Sequence, residues 1–387
     1  MKKPSILVIT FCISLITFNI CMGLPPDKLD FSSAKYFRRM DQLFHEKVVH
    51  VCIYKQGDTI NPSAIVFEDK IVFLDNNGNQ TSERAFGSIR EVRVTESVSG
   101  KYIYVFGSFN DKPGGIHRLY THDGKVVLEK DTLDRIGFKG FGVPVEGKEF
   151  FVLARDGELT LTNFKGDIIA SKKILDADKG EDGDVLTAVT QKGNKIFVGA
   201  NKLRMPPENN QKLPDFYTFD SNLDLIRKDS STYLMILDIQ CTPDGKFLII
   251  RAEAAGELSP LVITDTSYHE LLSLDNAQAV KFSDDENYMI HIPRSGSPEI
   301  ISCSNWQVFF RPIMSNDYPW LDYDISNDGS SALLFNGNEI LLLDCQKKTW
   351  HLVDFPFSFT NCRISGNGHR LILMGEFGFV VYDIVTE

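Results

Sequence analysis

"CTPDGKFLII", Cys241 to Ile250, settles the architecture. A Pro-Asp-Gly turn followed at once by an apolar run is the corner of an antiparallel hairpin whose second strand is buried. The corner recurs as "SVSGKYIYVF" around Gly100, "PVEGKEFFVL" around Gly147 and "TQKGNKIFVG" around Gly193. Beyond Gly245 it returns as "FSDDENYMIH" around Glu286, "SNDGSSALLF" around Gly329 and "SGNGHRLILM" around Gly368. Successive gaps are 47, 46, 52, 41, 43 and 39 residues. Each corner places Gly, Asp or Asn where positive φ or a side-chain-to-backbone hydrogen bond is needed.

A second marker falls later in each unit. An apolar strand ends in Asp or a similar residue, a turn follows, and another strand begins: "IVFLDNNGNQ", "YTFDSNLDLIRK", "LVITDTSYHELL" and "ILLLDCQKKTWHLV" are examples. Four short strands per period of about 45 residues is the pattern of a β-propeller blade. Such a blade cannot bury both faces of its sheet alone, and ring closure buries each face against a neighbour. The fold class is therefore all-β, a single propeller of four-stranded antiparallel blades. The third-strand marker, counted from Asp75 to Asp383, gives eight blades; the glycine corners give seven, because the unit around "HVCIYKQGDTINPSAIVF" lacks a clean copy. Eight is favoured, with seven as the alternative. The last unit runs out after three strands, so an N-terminal strand is expected to supply its fourth.

The units "CTPDGKFLIIRAE" and "VKFSDDENYMIHI" resemble the TolB-like and WD40-like propeller repeats of bacterial proteins, with a Ser/Thr-Pro-Asp-Gly-Lys turn before an apolar strand. The resemblance runs from about Val48 to the end. It implies a ring-shaped scaffold in or beyond the cell envelope, commonly used for protein contacts, and it supplies no catalytic residues.

The chain opens "MKKPSILVITFCISLITFNICMG". Two lysines, an apolar stretch from Ile6 to Ile20 and a small residue at Gly23 have the layout of a secretory signal peptide over residues 1–23. The stretch is short for a membrane span, with an uncleaved signal anchor as the alternative. Residues 24–47, with Phe37, Met40 and Phe44 at helical spacing and Ser32 or Ser33 as cap, read as a helical extension. The propeller then occupies 48–387, and the mature chain carries no membrane span.

The net charge of -11 becomes more negative once Lys2 and Lys3 are removed, and it opposes nucleic acid and anionic lipid. Five cysteines remain in the mature chain: Cys52, Cys241, Cys303, Cys345 and Cys362. Their wide spacing and odd number argue against a zinc knuckle or a disulfide scaffold, and most read as small buried hydrophobes. One disulfide joining the chain ends, Cys52 to Cys362, stays open for an oxidising compartment.

No reactive constellation is legible. The acidic run "DADKGEDGD" offers Asp176, Asp178, Asp182 and Asp184 as calcium ligands, but its register does not fit an EF-hand loop. The histidines, His45, His50, His117, His122, His269, His291, His351 and His369, form neither HExxH nor HxH. There is no GxSxG elbow and no Walker or Rossmann glycine pattern. Trp306, Trp320 and Trp350 lie at irregular places, unlike the recurring tryptophans of quinone-dependent propellers. The polar, Pro-bearing insertion "NKLRMPPENNQKLPDFYTFD" must be a surface excursion. Composition and pattern together point to an exported, periplasmic or secreted scaffold without a cofactor, binding a protein or a glycan through its loops or one ring face. An enzyme with a composite site in the central channel is the alternative.

Overall fold

The structure is a computed structural model. It describes residues 37–43 and 46–384, apart from 113, 133–142, 146–147, 149, 156, 166, 177–182, 203–212, 254–259, 315–319, 338, 355–358 and 377. The chain folds into eight four-stranded antiparallel sheets arranged as the blades of one propeller. Blade 1 covers residues 50–85, blade 2 89–132, blade 3 143–173 and blade 4 185–230. Blades 5, 6 and 7 cover 235–274, 277–310 and 322–354. Blade 8 takes Asn361–Ile364, Arg370–Gly375 and Gly378–Ile384, and its outermost strand is Phe37–Leu43 from the other end of the chain.

Middle strands such as Phe247–Glu253 and Ser331–Phe335 are continuous apolar runs because both of their faces are covered. The side-chain period of two divides each run between two neighbours. In Thr59–Val66, Ile65 packs toward blade 8 while Ala64 and Val66 pack toward blade 2. The buried core accordingly separates into eight layers, one for each pair of adjacent blades. The layer between blades 8 and 1 joins Val51, Ile65 and Val72 to Ile372, Phe379 and Val381, so the ring is closed by packing as well as by pairing.

The recurrent corner has a specific chemistry. Its first residue is a buried Ser or Thr in six blades: Ser97, Thr190, Thr242, Ser283, Ser326 and Ser365. In blade 5 the Thr242 carbonyl accepts from Gly245 N–H at 2.8 Å, and its hydroxyl accepts from Phe247 N–H at 3.1 Å. From blade 4 round to blade 1 the corner regions also reach the next blade. Backbone donors at Gln191, Asp285 and Asn327 find Pro243 O, Asn327 O and Gly366 O at 2.9 to 3.0 Å. Asp244 N–H reaches Glu286 Oε1 at 3.2 Å. Asn367 N–H closes onto Asp58 O at 3.3 Å, and Lys55 N–H reaches Ser99 O at 2.7 Å. The corners thus form a run of hydrogen bonds from blade 4 around to blade 2, every donor pointing to the following blade. This explains the near-constant period.

Two expectations change. No helix occurs among the described residues. Of the segment read as a helical extension, Phe37–Leu43 is a strand; Phe44 and residues 24–36 lie outside the described residues, as does the signal segment 1–23. The open edge of Gly378–Ile384 offers seven backbone partners, and tertiary pairing overrides the local spacing. The Cys52–Cys362 bridge is not formed, and both thiols are free. Cys52 faces blade 2 and Cys362 faces blade 7, so the two sheets of blades 1 and 8 lie between them. Among the described residues no helix is long and apolar enough to cross a membrane.

Candidate functional site

The first strand of each blade lines the axis. These strands are His50–Gln56, Ile89–Glu96, Val143–Val145, Val185–Val189, Met235–Cys241, Ala277–Phe282, Asp322–Ile325 and Asn361–Ile364. Each pairs only within its own blade, and side chains splice them across the blades. Asp322 Oδ2 accepts from Cys362 N–H at 2.8 Å, and Asp324 Oδ2 accepts from Ile364 N–H at 2.9 Å, tying blade 7 to blade 8. On the other side Lys281 Nζ of blade 6 lies 2.7 Å from Asp324 Oδ1. Arg363 donates to Asp322 at 3.0 Å, and Lys55 of blade 1 meets Asp284 of blade 6 at 3.5 Å. Lys55, Lys281, Asp284, Asp322 and Arg363 line a cavity of about 460 Å3 together with Gln240, Thr242 and Tyr323, and Asp324 lies behind them.

The network is electrostatically satisfied. Burial alone would push the Asp324 carboxyl up, but the Lys281, Arg363 and Lys55 charges outweigh it and hold it below the usual range. Burial acts to lower the Arg363 value, and Asp324 and Asp322 reverse that so it ends raised. Burial pushes the Tyr323 hydroxyl and the Cys241 thiol up to about 12. These groups therefore keep fixed protonation states near neutral pH.

A second cluster lies where blades 8, 1 and 2 meet. His50 Nε2 is 2.7 Å from Glu96 Oε1, and Ile53 N–H donates to Glu96 Oε2 at 2.9 Å. The Cys52 sulfur completes a set of three ligand atoms within 4.8 Å of one another. Burial first, and the Glu96 charge second, push this thiol well above its ordinary value. Two cavities open on the cluster. One of about 200 Å3 is lined by His50, Glu96, Asn361 and Arg363, and one of about 410 Å3 by Lys47, His50, Arg90 and Glu376.

The residues singled out in the sequence are scattered. Of the four carboxylates read as calcium ligands, Asp178 and Asp182 lie outside the described residues, while Asp176 bonds Lys173 at 2.6 Å and Asp184 is exposed. Residues 203–212 of the insertion lie outside too; its ends connect Ile196–Ala200 to Asp215–Phe219. Apart from His50, the described histidines join no cluster of three donors. His117 contacts Tyr104, His122 stacks on Tyr54 at 3.6 Å, and His291 Nδ1 meets Glu299 at 3.0 Å. His45 lies outside the described residues. Lys281, Asp324 and Arg363 went unnoticed in the sequence, though all three stand two positions before the corner hydroxyls Ser283, Ser326 and Ser365.

The rim shows a different chemistry. The outermost strands of blades 3 and 4, Ile168–Lys173 and Leu225–Ser230, each begin with an exposed apolar pair. Ile168 and Ile169 are 69% and 54% exposed, and Leu225 and Ile226 are 50% and 57% exposed, at the equivalent place in neighbouring blades.

The sequence matches no family model and no curated protein. Solved structures share the fold. Similar ones include the Dos1 propeller, with a TM-score of 0.56 at 10% identity over 90% of this chain and 95% of that one. The C-terminal WD40 domain of Sif2 gives 0.58 at 12% identity, over 91% and 99%. A structure described as the eukaryotic initiation factor gives 0.56 at 12%, over 88% and 91%. The likeness is one of fold. The chain is an eight-bladed propeller, and the C-terminal WD40 domain of Sif2 is among its structural neighbours.

Proposed function

We propose that this chain is an exported, non-catalytic propeller that binds a protein partner on the rim of blades 3 and 4. The observation that carries the reading is the apolar quartet Ile168, Ile169, Leu225 and Ile226 on edge strands. Edge strands normally carry charge to discourage pairing, and these do so along the rest of their length, with Lys172, Lys173, Arg227 and Lys228. An apolar pair repeated in two neighbouring blades suits a partner that covers both. Export is supported by Lys2, Lys3 and the apolar stretch to Ile20, and the envelope as the place of action by the Thr-Pro-Asp-Gly-Lys corner.

The test is photocrosslinking. Mature protein with a photoreactive residue at Ile168 or Ile226 is exposed to envelope and secreted extracts. One discrete adduct from both positions, absent when the residue sits at Val308 on blade 6, is expected. No adduct, or equal adducts from all three, contradicts the reading. N-terminal sequencing of the recovered protein is expected to begin at Leu24.

A second reading, an enzyme working in the central channel, draws on the charged groups around the 460 Å3 cavity. Against it, Asp322, Asp324 and Asp284 each have a cationic partner. A general acid or base works best with a pKa near the operating pH. The channel groups with shifted values are held away from neutrality, which supports the scaffold reading.

A further inference from the structure

We infer that His50, Cys52 and Glu96 form a binding site for one zinc-class divalent cation, wedged between blades 1 and 2 and open to the channel. Three observations carry it. Imidazole nitrogen, thiol sulfur and carboxylate oxygen lie within 4.8 Å of one another, and this mixed set is what Zn2+ accepts in tetrahedral sites. Magnesium and calcium prefer oxygen alone.

The cluster is also built. His50 and Cys52 stand on the same face of the strand His50–Gln56, two residues apart, and Glu96 ends the facing strand of blade 2. A bulge between Cys52 and Ile53 re-aims the Ile53 N–H, which donates to Glu96 Oε2 at 2.9 Å. That contact fixes the carboxylate from behind and leaves Oε1 toward His50, the kind of outer support that metal-binding carboxylates receive.

Access is the third observation. His50 is half-buried, and it lines both adjoining cavities, of about 200 and 410 Å3. Three protein ligands leave a fourth position for water or an exogenous donor. Binding releases the Cys52 thiol proton to solvent and involves no electron transfer. The site does not depend on the rim reading and can stand or fall alone.

The probe is Co2+ titrated into metal-stripped mature protein, with Zn2+ in equilibrium dialysis for stoichiometry. The expected result is one ion per chain and a near-ultraviolet thiolate-to-cobalt band. Cys52→Ser abolishes the band, Glu96→Gln weakens binding by about 10- to 100-fold or more, and Cys362→Ser, in the distant layer between blades 7 and 8, leaves it unchanged. Since Cys52→Ser disturbs a packed layer, His50→Ala provides the second variant: zinc raises the melting temperature of the parent and not of this folded variant. No thiolate band, a band that survives Cys52→Ser, or equal zinc stabilisation of His50→Ala overturns the inference.

Discussion

Gly245 rests against Thr190 of the preceding blade so closely that a Cβ on the glycine would lie 2.5 Å from Thr190 Cγ2. Gly245 also has φ of 73°, a conformation that costs an L-residue about 1–2 kcal/mol. Gly245→Ala therefore meets two penalties and is expected to lose about 3 kcal/mol, strain and overpacking together. Gly57 has φ of 60° and nothing within 4 Å of its Cβ position, so Gly57→Ala isolates the backbone share, about 1 kcal/mol. Urea unfolding midpoints of the two variants test the difference.

The corner hydroxyl is the next element to remove. Thr242 accepts Phe247 N–H at 3.1 Å from a buried position. Thr242→Val keeps the shape and orphans that donor, at a cost of about 1–3 kcal/mol, whereas Thr242→Ser keeps the acceptor. The serine variant is expected to unfold at nearly the parental midpoint, and the valine variant well below it.

Asp324 joins three blades, through Lys281 of blade 6 and Ile364 N–H of blade 8. Asp324→Ala strands a backbone donor and removes the partner of Lys281, an expected loss of about 3 kcal/mol. Asp284, at 40% exposure, meets Lys55 at 3.5 Å. Asp284→Ala is expected to cost less than about 1 kcal/mol and to lose even that at high salt.

Acid should weaken the ring at a definite place. Asp75 is held low by the Asn79 side chain and by the backbone N–H groups of Asn79 and Asn77. Burial would raise Asp265, but the N–H groups of His269 and Ser267 outweigh it, as the cations do for Asp324. Each folded value lies below the unfolded carboxylate value of about 3.9. The stability they confer is complete above that value and disappears as pH falls through the folded ones. Burial also holds the His117 and His122 values below the usual imidazole one, so the urea midpoint is expected to begin falling below about pH 6.5 and to drop further as pH passes below about 4; a midpoint that rises on acidification contradicts the assignment.

The repeat was legible because one local chemistry, hydroxyl, turn and buried strand, recurs in nearly every blade. Blade 1 escaped the glycine count since its corner is a tight hairpin, with Gln56 paired to Thr59 across Gly57 and Asp58. The strand Phe37–Leu43 was misread because Phe37, Met40 and Phe44 fit helical spacing, and only the far end of the chain reveals the edge it completes. The channel charges were hidden for a related reason. Asp324 and Arg363 are ordinary polar residues on short strands until the ring shows which face meets the axis. His50 and Glu96 stand 46 residues apart, so no spacing motif joins them.

Rim, channel and metal cluster all require a closed ring, and the seam between the chain ends is where closure is decided. Arg38 pairs with Asp383 in the register that joins Phe37–Leu43 to Gly378–Ile384. A protein carrying Arg38→Cys and Asp383→Cys should form an intramolecular disulfide on mild oxidation, seen as a mobility shift on a non-reducing gel. The three-residue misregister pair, Asp41→Cys with Asp383→Cys, should not. Absence of the first bridge, or equal formation of both, would mean that the ring does not close through this strand.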